Sequence, residues 1–155
     1  MKNKLMLSVC AFLLLACSND NDCCVNIDTS VSIKFLNEAG ENLLGRAGGL
    51  NESDITIYYR IDNEWIEYFE GNLDYPKGIS TVEGQDGPYL IVFPSNVIVA
   101  DNYSETKIEF FEAGSDILKT EIDKSTSNQM VTKVWYNGEL KWEGSESKRV
   151  IEIVK

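Results

Sequence analysis

Hydrophobic and polar positions alternate with a period of two along most of the chain after residue 29. The first such run lies near residues 30–36, where Val31, Ile33 and Phe35 are separated by Ser32 and Lys34. This alternation is typical of a strand with one buried face. Similar runs follow near residues 54–61, 64–69, 78–83, 89–93, 106–111, 117–123, 129–136, 139–143 and 148–154. The pattern predicts nine or ten short strands and no amphipathic helix in this part of the chain.

Asp62-Asn63 lies between two of these runs and predicts a hairpin with a two-residue turn. The turn sets Arg60 opposite Trp65, as well as Tyr59 opposite Ile66 on the apolar face. The other face then carries Tyr58, Arg60 and Trp65. On that face a guanidinium can stack on the indole ring.

Asn137-Gly138 is a stronger hairpin signal, because both residues tolerate positive φ in a type I′ turn. The turn sets Trp135 opposite Leu140. Simple alternation then groups Val131, Trp135, Leu140 and Trp142 on the buried side and leaves Val134, Tyr136, Lys141 and Glu143 outward.

A further hairpin is predicted between residues 106–111 and 117–123. Pairing Phe111 with Ile117 gathers apolar side chains on one face. It also sets complementary charges opposite each other on the second face, namely Glu109 with Lys119 and Lys107 with Glu121. For the last run, 148–154, we expect pairing with the strand that precedes it.

Many short strands with turns every eight to twelve residues predict an all-β fold, an antiparallel β-sandwich of Ig-like or transthyretin-like topology. A small closed β-barrel with a ligand cavity is the alternative, because strand patterns do not distinguish the two. We place this single domain at residues 29–155, which is long enough to bury a core.

The first sixteen residues follow a different pattern. Lys2 and Lys4 precede a twelve-residue apolar run from Leu5 to Ala16, which is too short to span a bilayer comfortably. A positive start, a short apolar core and a small residue at its end are typical of a secretory signal peptide.

Leu14-Leu15-Ala16-Cys17 resembles the lipobox of bacterial lipoproteins. The resemblance implies cleavage between Ala16 and Cys17, lipidation of Cys17, and attachment to the outer membrane through the N-terminal lipid. An ordinary secretory signal peptide with an incidental Cys17 is the alternative. Residues 17–28 are assigned to a polar tether. Its acidic start resembles the surface-export signal of Bacteroidetes lipoproteins, and this resemblance implies display on the cell surface. The alternative is a plain spacer, which would have the same composition.

Charge narrows the range of partners. Removal of residues 1–16 takes Lys2 and Lys4 and no acidic residue, so 12 basic side chains remain against 25 acidic ones and the formal charge moves from −11 to −13. That balance disfavours nucleic acid as a partner. Anionic lipid headgroups would also repel the domain, so attachment must come from the acyl chains.

Cysteine usage predicts a fold without an internal disulfide. Cys10 lies in the signal segment and Cys17 at the lipobox, which leaves the adjacent pair Cys23 and Cys24. These two could pair with another chain, form a strained vicinal disulfide, or remain unpaired, and their spacing fits no zinc or redox motif.

No catalytic residue is assigned, because the chain contains no His. This excludes the usual Ser-His and Cys-His nucleophiles and His-containing zinc sites. A glycosidase-type carboxylate pair is the enzymatic alternative, and it requires a carboxyl of raised pKa in a cleft.

No cofactor or metal site is assigned either. Oxygen ligands for a structural calcium ion are present in predicted loops at Asp62-Asn63-Glu64, Asp86 and Asp101-Asn102. None matches a calcium loop with ligands at alternate positions, and turn formation by Asp and Asn explains each of them.

Among the aromatic residues, Tyr58, Trp65 and Tyr136 are predicted to face outward. We take Tyr58, Arg60 and Trp65 as the candidate binding patch, since they combine stacking surface with a cation. The function expected is a non-enzymatic binding or structural module at the cell surface, with a glycan or protein ligand. The alternatives are a glycan-binding accessory protein, a pilus-type assembly subunit and, least favoured, a carboxylate-dependent glycan hydrolase.

Overall fold

A computed structural model describes residues 27–124, 128–144 and 149–155, and these residues form an all-β structure. The signal segment, Cys17, Cys23 and Cys24 lie outside the described residues. The described part of the chain contains no helix that is long and apolar enough to cross a membrane. A short 3₁₀ helix, Glu52–Asp54, leads into the third strand.

The described residues contain eleven strands. In chain order these are β1 (Ile27–Asp28), β2 (Val31–Leu36), β3 (Ile55–Ile61), β4 (Glu64–Glu67), β5 (Ile79–Gly84), β6 (Gly87–Val92), β7 (Tyr103–Phe110), β8 (Gly114–Asp123), β9 (Gln129–Tyr136), β10 (Glu139–Glu143) and β11 (Val150–Val154).

Two sheets pack face to face, which confirms the sandwich and not a closed barrel. The large sheet has seven strands in the order β1-β9-β8-β7-β3-β4, with β10 paired to β9, and the small sheet has four in the order β11-β2-β6-β5. Both sheets are mixed, because β1 runs parallel to β9 and β11 runs parallel to β2. The expectation of purely antiparallel pairing was wrong for these two strands.

The core lies between the sheets and follows the predicted alternation. From the small sheet, β2 contributes Val31, Ile33 and Phe35, all fully buried. Phe35 packs edge-on against Phe110 of the large sheet, with ring centroids 5.4 Å apart at 87°. Edge-to-face geometry of this kind is the preferred arrangement of aromatic pairs.

Both two-residue turns form as predicted. Asp62, Asn63, Asn137 and Gly138 all have positive φ, between 50° and 85°. Arg60 is paired with Trp65, and Leu140 with Trp135.

The predicted register of the β7–β8 hairpin was wrong by four residues. Lys107 is paired with Ile117, because the chain turns early, directly after Phe110, with Glu112 and Gly114 at positive φ. An even shift keeps the inner and outer faces unchanged, so Phe110 still points into the core. The charge pairs expected across this hairpin, Glu109 with Lys119 and Lys107 with Glu121, are not made.

The predicted faces of the β9–β10 hairpin are confirmed for Val131 and Trp142. They were wrong for residues 134–136 and for Leu140, because each strand contains an irregularity. The register shifts between Glu121 and Ile122 where β9 pairs β8, and again between Leu140 and Trp142 where β10 pairs β9. One extra residue reverses the face of everything beyond it. As a result the inward residues are Val131, Val134, Tyr136 and Trp142, whereas Trp135 and Leu140 face outward.

The last strand was expected to pair with the strand that precedes it in the chain, but it does not. β11 crosses to the small sheet and pairs with β2, where Ile151 and Ile153 are buried. Residues 145–148, which include the start of the predicted strand, lie outside the described residues.

Arg149 holds this crossing in place, and we call its set of contacts the Arg149 clasp. The guanidinium donates to the Asp28 carboxylate at 3.0 Å, to the carbonyl of Ser30 at 2.9 Å and to the carbonyl of Val131 at 3.2 Å. It also lies 4.9 Å from the ring of Trp142. The contact with Asp28 and the pairing of β1 show that the sandwich includes Ile27 and Asp28, two residues that the sequence assigned to the tether.

We expect Arg149→Ala to lower the free energy of unfolding by about 2 kcal/mol, because two partly buried carbonyls lose a charged donor and the half-exposed Asp28 carboxylate loses its ion pair. Urea unfolding followed by circular dichroism measures the change. Arg46→Ala is the control, since Arg46 forms an ion pair with Glu41 in which both side chains are well exposed, and it should cost less than about 1 kcal/mol. Equal losses in the two variants would contradict the role given to the clasp.

Candidate binding sites

The candidate patch of Tyr58, Arg60 and Trp65 is assembled on the outer face of the large sheet. Tyr58 and Arg60 alternate along β3 with inward-facing residues, and Trp65 is paired with Arg60 from β4. The centre of the Arg60 guanidinium lies 5.5 Å from the centroid of the Trp65 ring. This is within the range of a cation–π interaction.

Two hydrogen bonds hold the guanidinium of Arg60 in this position. One runs to Oε2 of Glu105 on β7 at 2.7 Å, and the other to Oδ1 of Asn63 at 2.5 Å. The Glu105 side chain is about one-fifth exposed, so this ion pair is only partly screened by water. The Trp65 ring is therefore covered by a cation whose own position is fixed.

Tyr58 is held by a second cation in the same way. Lys107 Nζ lies 3.8 Å from the centroid of the Tyr58 ring and 3.0 Å from the Glu109 carboxylate. The Tyr58 hydroxyl donates to the same carboxylate at 3.4 Å. Partial burial and the charges of Glu109 and Glu67 raise the pKa of the Tyr58 hydroxyl, so it remains a hydrogen-bond donor at neutral pH.

The patch continues across the sheet to β10. Lys119 of β8 lies 4.0 Å from the Tyr103 ring and 5.6 Å from the Trp135 ring, and these rings meet edge-on at 5.5 Å. Strand register and the Arg60–Glu105 ion pair place six residues in one line across six strands. We call this line the outer row: Trp65, Arg60, Glu105, Lys119, Trp135 and Leu140.

The outer row corrects two predictions about the aromatic residues. Trp135 was expected in the core, but it faces outward and is only partly buried. Tyr136 was expected to be exposed, but it is buried and its hydroxyl donates to Oδ2 of Asp116 at 2.6 Å. Both errors follow from the β-bulges, which simple alternation does not reveal.

A second aromatic site was missed by sequence reasoning. The segment between β4 and β5 folds against the sandwich edge and forms a cleft of about 270 Å³, which we call the aromatic cleft. Its lining residues are Tyr68, Leu73, Asp74, Tyr75, Gly78 and Phe93. A usable signal was present, because Leu73 and Tyr75 occur in a segment rich in Gly, Asn and Pro that has no predicted strand to bury them.

A larger groove of about 530 Å³ lies beside the Arg149 clasp. Its lining includes Asp28, Met130, Trp142 and Arg149. The positive charge of Arg149 is already balanced by Asp28 at 3.0 Å, so the described lining residues offer no free cation for an anionic ligand.

The loop residues considered for calcium have structural roles. Asp62, Asn63 and Asp101 occupy turn positions with positive φ, and Asn63 accepts a hydrogen bond from Arg60. Asp86 lies 3.8 Å from the ammonium of Lys34. Within the described ranges, no three His, Cys, Asp or Glu side chains are grouped so that they could hold a metal ion.

Among the described residues, Glu41 and Asp116 are the two carboxyls with shifted pKa values, and both pKa values are lowered. Hydrogen bonds from Arg46 and Asn37 lower the pKa of Glu41. Burial alone would raise the pKa of Asp116, but hydrogen bonds from Lys155, Tyr136 and Asn137 together hold it below its ordinary value. A general acid needs the opposite shift, so neither carboxyl is suited to proton donation at neutral pH.

The chain matches no protein-family model, no curated protein and no solved structure.

The lowered pKa of Asp116 predicts a pH-dependent contribution to stability. This contribution is complete above the unfolded-state pKa of about 3.9 and is lost as the pH falls through the lower folded-state value. We expect Asp116→Asn to reduce the free energy of unfolding by about 1–2 kcal/mol above pH 5. The difference from the wild type should shrink below about pH 4. Urea unfolding between pH 3 and 7 measures it, and a difference that stays constant over this range would contradict the role of the ionised carboxylate.

Proposed function

We propose that this chain is a cell-envelope lipoprotein, acylated at Cys17, whose β-sandwich is a non-enzymatic binding module displayed at the outer membrane. The outer face of the large sheet is its ligand-binding surface. The observation that carries the proposal is the outer row together with Tyr58 and Tyr103, which gathers Trp, Tyr and Arg side chains on one face.

This composition supports a binding role because Trp, Tyr and Arg supply most hot-spot energy at protein interfaces. The cations also lie over the rings and are themselves held by carboxylates, as Arg60 is held by Glu105. Side chains fixed in this way lose little conformational entropy when a ligand arrives.

The shape of the face supports an extended ligand. Six strands at a spacing of about 4.8 Å make the outer row about 24 Å long. A row of that length suits a glycan chain or the flat surface of another protein better than a compact metabolite. The cations of Arg60 and Lys119 and the carboxylate of Glu105 between them supply donors and acceptors for either partner.

The N-terminal pattern supports the envelope location. The apolar run up to Ala16 and the lipobox Cys17 supply the anchor, and the formal charge of −13 left after cleavage disfavours direct adsorption to anionic headgroups. The ligand face would then be held at the membrane by acyl chains alone.

We expect intact-mass analysis of the membrane-extracted protein to find residue 17 as the first residue, carrying acyl mass. Cys17→Ala should remove that mass and release the protein from the outer-membrane fraction, since one anchor is lost and no compensating basic patch follows it. Cys23→Ala is the matched control and should remain acylated. A wild-type N-terminus without acyl mass would disprove the anchor.

For the ligand face, we expect the double variant Tyr58→Ala/Trp65→Ala to weaken binding to an identified glycan or protein ligand by at least about tenfold, because two aromatic anchors are lost. Ligands are first found with the wild type on glycan and extracellular-protein arrays, and affinities are then measured by surface plasmon resonance. Trp135→Ala, next to the far end of the outer row, should weaken binding of the same ligand.

Tyr89→Ala is the control for this experiment, because Tyr89 is partly exposed on the small sheet. It should bind as the wild type does. Full binding by the double variant would exclude the outer face as the site. Turnover of any glycan or peptide on the arrays would instead place the protein among enzymes.

A further inference from the structure

The aromatic cleft is a second site with a chemistry of its own. Tyr75 and Phe93 are stacked, with ring centroids 5.2 Å apart and 18° between their planes, and Tyr75 is about half exposed. Tyr68 supplies another wall. Leu73, which is about half exposed, extends the apolar surface of the lining.

The walls of the cleft are fixed by contacts outside it. The ring of Tyr68 packs on Tyr59 at 4.4 Å, and the Tyr59 hydroxyl donates to the carbonyl of Phe93 at 2.7 Å. Gly78 has φ of +69°, and a Cβ there would lie 2.8 Å from the Tyr68 ring. Only glycine lets the backbone pass this close to the ring in that conformation. The cleft is therefore formed before any ligand enters.

The cleft is apolar and electronegative at the same time. Aromatic faces carry partial negative charge, and Asp74 adds a full carboxylate to the lining. Glu70 lies in the same loop, where its backbone N–H donates to the carbonyl of Pro76 at 2.8 Å and its carbonyl accepts from the N–H of Leu73 at 3.1 Å. Burial, and then the charge of Glu70, raise the pKa of the Tyr68 hydroxyl. The protein as a whole has a formal charge of −11. Both the local charge of the cleft and the net charge of the protein therefore disfavour an anionic ligand.

We propose that the aromatic cleft binds a trimethylammonium group, carried by a small choline-like cation. Such a group presents apolar methyls and a positive charge to aromatic faces, which is the basis of cation–π recognition. It donates no hydrogen bonds, so it leaves no unpaired donor when it enters an apolar cleft.

Size and polarity favour this occupant over a sugar. About 270 Å³ is just below the usual range for small-molecule sites, so the cleft suits a headgroup and not a polymer repeat. Asp74 is the one charged residue among those that line the cleft. A sugar ring would need a hydrogen-bond partner for each of its several hydroxyls. The cleft is also separate from the outer row, so the two sites succeed or fail independently.

The test is a ligand-observed NMR titration of the detergent-solubilised full chain with four probes: choline, its neutral carbon isostere 3,3-dimethyl-1-butanol, phosphocholine and methyl glucoside. We expect choline to bind at least about tenfold more tightly than the isostere. Phosphocholine should bind more weakly than choline, because the carboxylates repel its phosphate. Binding of choline and the isostere with equal affinity, tighter binding of phosphocholine, or preference for the glucoside would each overturn the proposal.

Two variants locate the site. Tyr75→Leu keeps the apolar surface but removes the ring, and Asp74→Asn keeps the size but removes the charge. Each should weaken choline binding by at least about threefold and leave the isostere unaffected. The matched controls are Tyr89→Leu and Asp62→Asn, the latter at the opposite end of the β3–β4 hairpin in a turn that tolerates Asn. Choline binding that survives both test variants would exclude the cleft.

Discussion

The guanidinium of Arg149 joins three parts of the chain that are distant in sequence. It bonds to Asp28 and Ser30 where the chain passes from the large sheet to the small one, and to Val131 in the middle of β9. The parallel pairing of β11 with β2 begins at the next residue. A planar fork of five donors can satisfy several acceptors at once, which a lysine cannot do. β1 and β2 belong to different sheets. The contacts of Arg149 therefore hold the start of the domain at the point where the chain passes from one sheet to the other.

The structure could be predicted from the sequence where the backbone preferences of neighbouring residues alone decide it. Asp62-Asn63 and Asn137-Gly138 determine their turns through backbone preference, and those turns set Arg60 against Trp65 and Trp135 against Leu140. The three residues of the candidate patch could therefore be placed together on one face of the β3–β4 hairpin. Their partners Glu105 and Lys107 could not, since the pairing of β3 with β7 depends on contacts far apart in the sequence.

The remaining errors have a common physical origin. Alternation assumes an unbroken pleat, but the extra residues in β9 and β10 each reverse the faces that follow, so Trp135 and Tyr136 exchanged places. The charge pattern of β7 and β8 favoured a register four residues away from the observed one, which instead follows the tighter turn with Glu112 and Gly114 at positive φ. The partner of β11 was decided by the need to bury Ile151 and Ile153 against the opposite sheet. The alternation of apolar and polar residues therefore identifies the buried face of an unbroken strand, but it does not identify the strand or sheet that packs against that face.

The short parallel pairing of β1 with β9 has a mechanical consequence. Ile27 and Asp28 are the first described residues, ten and eleven positions after Cys17, and they pair with Gln129 and Met130 at one edge of the large sheet. If the chain is anchored at Cys17 while a ligand pulls on the outer face, the load enters at β1 and reaches β9 directly. The second sheet then carries little of the force. Two residues of ladder and the ion pair between Asp28 and Arg149 would be the first contacts to rupture, which would lengthen the tether while the core stays folded.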